Sequence, residues 1–378
     1  MTNVEPFQGQ EKLKIALVHY FLVNKRGGEK VFYTLAELFP GADTYALVVD
    51  KKIQPHRVLS RLKATSFVQH LPFSISHFRH YFFLYPFAVQ KFNLSNYDLV
   101  ISSSAGWAHG VRVGVNTLHV CYCHTPLRYV WHWYDDFIRS ISYWQRPWII
   151  PILKWIRNWD FHAAQRVDYF IANSTTTKRR ISQFYKKDSH IIYPPVDISD
   201  SSIGLLEDRE DFFLVVSHLV PYKRVDIAIK AFNALGLPLK IVGDGPMRPH
   251  LEKIAKGNIE FLGYVTRTDL CQLYRRCKAL IYTAEEDFGI VPVEAQATGC
   301  PVIAYGAGGV LDTVIDGLTG KLFYSQLPES LIEAISSFNP HDFDPYQIQR
   351  HALRFSEDNF KTNILNFLKQ VICKGEDR

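Results

Sequence analysis

Long apolar runs are missing from this 378-residue chain. Nowhere do eighteen apolar residues follow one another, so no segment has the length of a membrane-spanning helix. The run Trp148-Ile149-Ile150-Pro151-Ile152-Leu153 stops at Lys154. Metal-type cysteine spacing is missing too. Of six cysteines, Cys121 and Cys123 stand too close for a zinc knuckle, while Cys271 and Cys277 each stand alone. Reduced, buried thiols in the cytoplasm are the expectation. The polar residues 1–10 lack both the charged region and the apolar core of a secretion signal. Acidic residues are absent from 51–97, which carries seven Lys/Arg and ten aromatics. That segment alone is +7 in a chain of net charge +6, so the remainder is nearly neutral. A basic, aromatic patch of this kind suits an acidic surface such as anionic lipid headgroups, or a pyrophosphate-linked acceptor. Nucleic acid fits the charge as well, but no recognition motif accompanies it.

What is present is globular. Hydrophobic residues make up 47% and charged ones 21%, and the length suffices for two domains, each with a core. The opening run Leu13-Lys14-Ile15-Ala16-Leu17-Val18 is of the buried, parallel type. A loop, Gly27-Gly28, and an apolar-periodic helix over 31–39 follow it, which is the first unit of a Rossmann-like domain. Further strands are expected at 44–48, 99–102, 118–123 and 169–172. Tyr193-Pro194-Pro195-Val196-Asp197 and the polar run to Asp211 have linker character. A second alternating set follows, with strands expected at 212–216, 239–242, 259–262, 279–282, 301–304 and 321–323. Two βαβ arrays make an α/β protein of two domains, 1–198 and 199–355. Asp342-Phe343-Asp344 has the outline of a metal-binding Asp-x-Asp, but Asn339-Pro340 before it and a helical segment after it favour helix capping.

One stretch carries more chemistry than the rest. Glu286 and Glu294 bracket a loop and the start of a short helix within Glu285-Glu286-Asp287-Phe288-Gly289-Ile290-Val291-Pro292-Val293-Glu294-Ala295. Pro292 suits the first helical turn and Gly299 the stop, placing Glu286 before the helix and Glu294 in its first turn. Loop amides and the helix N-terminus then converge on a spot that attracts a phosphate.

This stretch resembles the retaining family-four glycosyltransferases: two glutamates seven residues apart with an internal Phe-Gly, then Glu-Ala-x-Ala-x-Gly-x-Pro-Val-Ile-Ala. Further matches in the expected order extend the resemblance over almost the whole chain. It implies the GT-B fold, two Rossmann-like domains with parallel sheets facing across a deep cleft that holds a nucleotide diphosphate sugar. It also implies that a last helix, about 356–378, packs back on the first domain. By the same resemblance Glu294 accepts from the ribose hydroxyls and Glu286 orients the transferred sugar. The amides of Asp287, Phe288, Gly289, Ile290 and Val291 hold sugar hydroxyls and phosphate oxygens. Lys223 contacts the diphosphate, stabilising charge on the leaving phosphate. His218 stands where the family usually has arginine, which makes Arg224 a candidate second cation. Gly243 belongs to a tight turn beside the cleft, and Tyr264 and Val265 meet the base through main chain. In the first domain Gly27 and Gly28 let the backbone approach the diphosphate, and His124 contacts the donor sugar or β-phosphate. Asn173-Ser174 resembles a further signature and equally suits the cap of a helix from Thr175.

The implied activity is metal-independent, retaining transfer of a hexose from UDP-glucose or GDP-mannose to a glycan acceptor, lipid-linked, in exopolysaccharide or O-antigen synthesis. The stretches Cys123-His124-Thr125-Pro126-x-Arg128-Tyr129 and Leu219-Val220-Pro221-Tyr222-Lys223-Arg224-Val225-Asp226 look most like the O-antigen mannosyltransferase branch. Two other classes fit the same residues, a GT-B sugar-nucleotide epimerase and a non-catalytic sugar-nucleotide-binding subunit. Six of the seven tryptophans fall within 131–159, interleaved with Arg139, Arg146, Lys154 and Arg157. Either they form a local aromatic core, or with the 51–97 patch they face a membrane. The expected location is cytoplasmic, with peripheral contact to the inner face of the plasma membrane.

Overall fold

The computed structural model describes residues 13–24, 27–198 and 202–376. The polar segment 1–10, Lys25 and Arg26 ahead of Gly27, linker residues 199–201, and 377–378 at the end of the expected last helix lie outside the described residues. The chain divides into two compact units: Met1–Pro195 with Phe360–Arg378, and Val196–Asn359.

The first unit is a seven-stranded parallel sheet. Its strands are β1 (Ile15–Leu22), β2 (Asp43–Val49), β3 (Leu62–Thr65), β4 (Leu99–Ser104), β5 (Leu118–Cys123), β6 (Tyr169–Ala172) and β7 (Ser189–Ile191). Their spatial order is β3-β2-β1-β4-β5-β6-β7. Strand β1 is buried along nearly its whole length, because helices cover both sheet faces and leave water to neither. The helix after it begins at Gly27, so the two glycines form its first turn. The edge strands β3 and β7, of four and three residues, are absent from the sequence expectation. Ser174, at the end of β6, caps the helix Thr175–Tyr185 by accepting from the Thr177 N–H at 3.0 Å.

The second unit holds six parallel strands: β8 (Phe213–Val216), β9 (Leu239–Val242), β10 (Ile259–Gly263), β11 (Leu280–Tyr282), β12 (Val302–Tyr305) and β13 (Gly320–Phe323). They are ordered β10-β9-β8-β11-β12-β13. In both sheets the order reverses between the first and fourth strands of the unit, the switch point at which ligands enter such folds. Asp344 caps the helix Pro345–Ala352, accepting from the Tyr346 N–H at 2.9 Å.

The last helix, Glu357–Glu376, returns to the first unit. Phe360, Ile364, Phe367, Leu368 and Val371 are buried against Leu17, Val31, Phe32 and Tyr122. Five such side chains contribute on the order of 10 kcal/mol, before the entropy of ordering the helix is subtracted. Lys361 adds an ion pair to Glu37 at 3.2 Å. Five cysteines are buried, whereas Cys373 on this helix is exposed, a departure from the all-buried expectation.

Beneath the first sheet lies a buried polar network. His119 meets Ser102 at 2.8 Å, and Asp160 accepts from Trp131 Nε1 at 2.7 Å and the Tyr185 hydroxyl at 2.8 Å. Burial, helped by His109 and Arg166, pulls the His119 pKa down to about 3. A lowered native pKa means that the unfolded chain binds the proton first. The stability tied to this neutral imidazole is therefore complete above the ordinary value near pH 6.5 and lost as pH falls toward 3. Urea titrations should show about 2 kcal/mol less stability at pH 5 than at pH 7 from His119 alone, since each pH unit is worth about 1.4 kcal/mol. In His119→Asn the slope should fall by one proton; an unchanged slope would mean that His119 is already protonated in the folded state.

Candidate functional site

At the switch point of the second sheet, the loops after β8 and β11 are neighbours. The first loop carries Lys223, which ends the turn Pro221–Lys223, and the second carries Glu286. Lys223 Nζ and Glu286 Oε1 form an ion pair, and the Tyr282 hydroxyl donates to Glu286 Oε2. The Thr283 hydroxyl donates to the Lys223 carbonyl at 2.9 Å, tying the two loops through main chain as well. The Lys223 side chain is only 12% exposed and that of Glu286 28%, so the pair has little water. Burial and the neighbouring Glu286 carboxylate push the Tyr282 phenol well above its ordinary pKa. Tyr282 is thus held as a donor. A carboxylate has about four lone-pair sites and an ammonium three N–H bonds. This pair therefore keeps acceptor and donor capacity for a polar ligand.

Behind Glu286 stands a second loop built on glycine. Gly308 has φ +72°, and a Cβ there would lie 2.3 Å from the Glu286 carbonyl oxygen. A Cβ on Gly309 would lie 2.2 Å from Phe288 Cα. The Gly309 N–H donates to the Glu286 carbonyl at 2.8 Å. Phe288 turns inward and packs on Phe355 with ring centroids 5.5 Å apart, so its side chain anchors the loop. Gly289, with φ +88°, then starts the helix Ile290–Ala297. That start is two residues earlier than Pro292 alone suggests, which moves Glu294 from the first turn into the second. Gly299 follows the helix at φ +78°, as a left-handed stop.

Glu294 is met by Arg267, whose Nη1 lies 3.0 Å from Oε1 and whose Nη2 donates to the Asp197 carbonyl at 2.6 Å. Burial by itself would lower the Arg267 pKa, but Glu294 together with Cys271, Asp197 and Tyr274 outweighs it and the net shift is upward. His218 is exposed, and its Nδ1 contacts the Asp244 carbonyl at 2.7 Å. Arg224, in the left-handed region at φ +53°, pairs with Asp226 of its own helix at 3.2 Å. Gly243 closes the strand ends: its N–H donates to the Gly263 carbonyl at 2.7 Å, and a Cβ would meet the Ser217 carbonyl oxygen at 2.0 Å. Beyond Gly263, Tyr264 is 78% exposed and Val265 half-buried. Among the described residues, no three His, Cys, Asp or Glu side chains are grouped to hold a metal ion.

In the first unit, the ends of β1, β4 and β5 bring together Tyr20, Ser103 and His124. His124 Nε2 meets the Ser103 hydroxyl at 2.8 Å. A Cβ on Gly28 would stand 2.8 Å from the Tyr20 hydroxyl and 3.7 Å from His124 Nε2. Gly28 therefore gives room beside His124, and its neighbour Gly27 opens the same helix. His19 is buried beside them, its pKa lowered by burial and then by His124, so it stays neutral.

Comparison with known proteins adds to this geometry. Residues 25–200 match the model for Glycosyltransferase Family 4, and residues 198–342 match that for Glycosyl transferases group 1. Together the two glycosyltransferase models match residues 25–342. Over 179 residues the chain is 33% identical to an uncharacterised glycosyltransferase of Methanocaldococcus jannaschii, covering 46% of this chain and 50% of that protein. It is 26% identical over 270 residues to the D-inositol 3-phosphate glycosyltransferase of Mycobacteroides abscessus, covering 65% and 58%. The chain thus spans about half the length of the curated relatives it matches. Among solved structures, Anabaena HepE in complex with UDP and glucose superposes with a TM-score of 0.64 at 18% identity, covering 95% of this chain and 100% of that one. Sucrose-phosphate synthase from Thermosynechococcus elongatus gives 0.70 at 16%, covering 96% and 100%. At such identities these likenesses establish the fold, which is GT-B.

Around this site, sequence reasoning missed Tyr282, Arg267, Gly308 and Gly309. The last two could have been noticed as a glycine pair three residues after a strand; Tyr282 acts on Glu286 four residues on, and Arg267 on a partner 27 positions away that no local pattern announces. The glycine loop yields a controlled test. Gly317, at φ +76°, has open space where its Cβ would be, so Gly317→Ala should cost only the left-handed penalty of about 1 kcal/mol. Gly308→Ala carries the same penalty plus a clash with backbone, and should lose at least about 3 kcal/mol in denaturant titrations. Equal losses would show that the 306–309 loop does not clamp Glu286.

Proposed function

We propose that this chain transfers a hexose, with retention at the anomeric carbon, from a nucleoside diphosphate sugar to a glycan acceptor. UDP-glucose and GDP-mannose are the donors considered. The acceptor is lipid-linked, an intermediate of exopolysaccharide or O-antigen type, so that the enzyme works at the inner face of the plasma membrane by peripheral contact. The observation that carries the reading is the Lys223–Glu286 pair at the switch point, with the Ile290–Ala297 helix beginning four residues after Glu286.

In this reading Lys223 meets the charge that builds on the leaving phosphate, a task for a preorganised, poorly hydrated ammonium. Amides at the start of the Ile290–Ala297 helix share that load. Glu286, oriented by Tyr282, accepts from hydroxyls of the transferred sugar and offsets positive charge at the anomeric carbon. Glu294, braced by Arg267, accepts from the ribose. His124 and the opening at Gly28 contribute from the first unit, toward the sugar and its β-phosphate. Retention is drawn as same-face attack, with the leaving phosphate helping to take the acceptor's proton. The cation requirement is met by Lys223 and main chain, with no divalent metal.

Nucleotide binding raises the melting point of a native state that holds it. A thermal-shift comparison of UDP, GDP and their glucose and mannose conjugates should select one base. Lys223→Ala and Glu286→Ala should each lower turnover by roughly 100-fold or more, the scale of one lost transition-state contact. Unchanged turnover in both variants would remove the assignment. EDTA should leave the rate intact. Isomerised donor formed without acceptor would mark an epimerase instead.

A further inference from the structure

The tryptophan-rich segment divides by face. Along the helix Arg146–Gln165, the residues Leu153, Ile156, Asp160, Ala163 and Ala164 are buried. Trp148, Pro151 and Trp155 lie on the other side, and Trp144 stands in the short turn Tyr143–Gln145 just before the helix. Trp144 is 71% exposed, Trp148 77% and Trp155 40%. Phe87, from the basic segment 51–97, is also exposed and stacks on Trp155 with ring centroids 5.4 Å apart. One continuous aromatic surface therefore joins the two segments.

Its charge has a single sign. No acidic residue occurs between Asp136 and Asp160, and Asp160 is buried. Arg157 turns inward, its Nε donating to the Val130 carbonyl and its guanidinium lying 4.4 Å from the Tyr134 ring centroid. Arg146 donates from Nε to the Ile141 carbonyl at 3.2 Å and lies over exposed Tyr143, 5.8 Å from the ring centroid, and Lys154 is exposed. A two-fold contact with a second copy would set these cations against their own kind. Anionic lipid answers both features: tryptophan rings seat at the headgroup boundary, and lysine and arginine meet the phosphates. No described helix is long and apolar enough to cross a bilayer, so contact with lipid would run along its surface.

We propose that the face formed by Trp144, Trp148, Trp155 and Phe87, flanked by Arg146 and Lys154, docks the protein on an anionic bilayer. This deepens the lipid-linked acceptor reading and rests on it for its purpose, though lipid binding is measured without any acceptor. The full chain should float with phosphatidylcholine vesicles containing phosphatidylglycerol, float poorly without phosphatidylglycerol, and detach as salt rises. Brominated acyl chains should quench its tryptophan fluorescence. The Trp144→Ala/Trp148→Ala variant should lose about tenfold or more in vesicle affinity, on the scale of two interface-seated aromatic rings. Tyr346→Ala, an exposed aromatic of the second unit, should float like the parent. If the double variant does not fold, Lys154→Glu, at an exposed position, should weaken flotation. Absence of flotation, equal flotation of parent and face variants, or a concentration-dependent dimer abolished by those substitutions would overturn the proposal. Nucleotide thermal shifts on the same samples read the donor site separately: a chain that binds nucleotide but not vesicles keeps the transferase reading and loses this one.

Discussion

A lysine ammonium with 12% of its side chain in solvent needs a counter-charge, and Glu286 supplies it. Breaking such a partly buried pair by removing one partner leaves an uncompensated charge, which costs far more than the pair itself contributes. The surrounding construction follows from that demand. Lys223 comes from the loop after β8 and Glu286 from the loop after β11, adjacent strands although two strands separate them in sequence. To hold the carboxylate in place, Tyr282 donates from the end of β11, and the glycine loop after β12 comes so close to the 286–288 backbone that no side chain fits. Three consecutive strands of the sheet thus cooperate on one ion pair. A diphosphate arriving here would find a cation already desolvated and already oriented, which is what gives electrostatic stabilisation its strength.

The first unit follows the same order of strands with different chemistry. Where the second unit concentrates charge at its switch point, the first places imidazole, hydroxyl and phenol groups there: His124, Ser103 and Tyr20. Burial keeps the adjacent His19 neutral, so this cluster offers hydrogen bonds without a fixed cation. The Glu357–Glu376 helix closes the hydrophobic core beneath these strands, and Phe360 packs on Tyr122, whose ring meets that of His124 two residues on, with centroids 5.3 Å apart. Packing from the far end of the chain therefore supports the position of His124.

Legibility in the sequence tracked the physical source of each feature. Strands buried on both faces need continuous apolar runs, and β1, β2, β4 and β5 were readable for that reason. The edge strands β3 and β7 are short and pair on one side only, so neither periodicity nor a long apolar run marks them. The two glutamates and the helix between Gly289 and Gly299 were visible because capping chemistry and spacing are local. The start of that helix was misjudged, since a glycine at φ +88° begins it and Pro292 falls at its third residue. Arg267 was invisible: it meets Glu294 across 27 positions, a separation that only the packing of two helices closes.

The tryptophans show why composition alone could not separate a core from a surface. Within one 29-residue stretch, Trp131 gives its indole N–H to buried Asp160, and Trp159 packs on Trp107 with ring centroids 5.8 Å apart. Trp144 and Trp148 stand in solvent only a few turns away. Local cover makes the division: Trp159 stands eleven residues after Trp148, on the same side of the helix, but Trp107 packs on it, whereas Trp148 is exposed. An indole N–H needs a partner when buried, and Asp160 supplies one to Trp131. The large apolar area of the exposed rings stays costly in water until something covers it. The same segment therefore builds the first unit inward and leaves an aromatic surface outward, with basic side chains along its border.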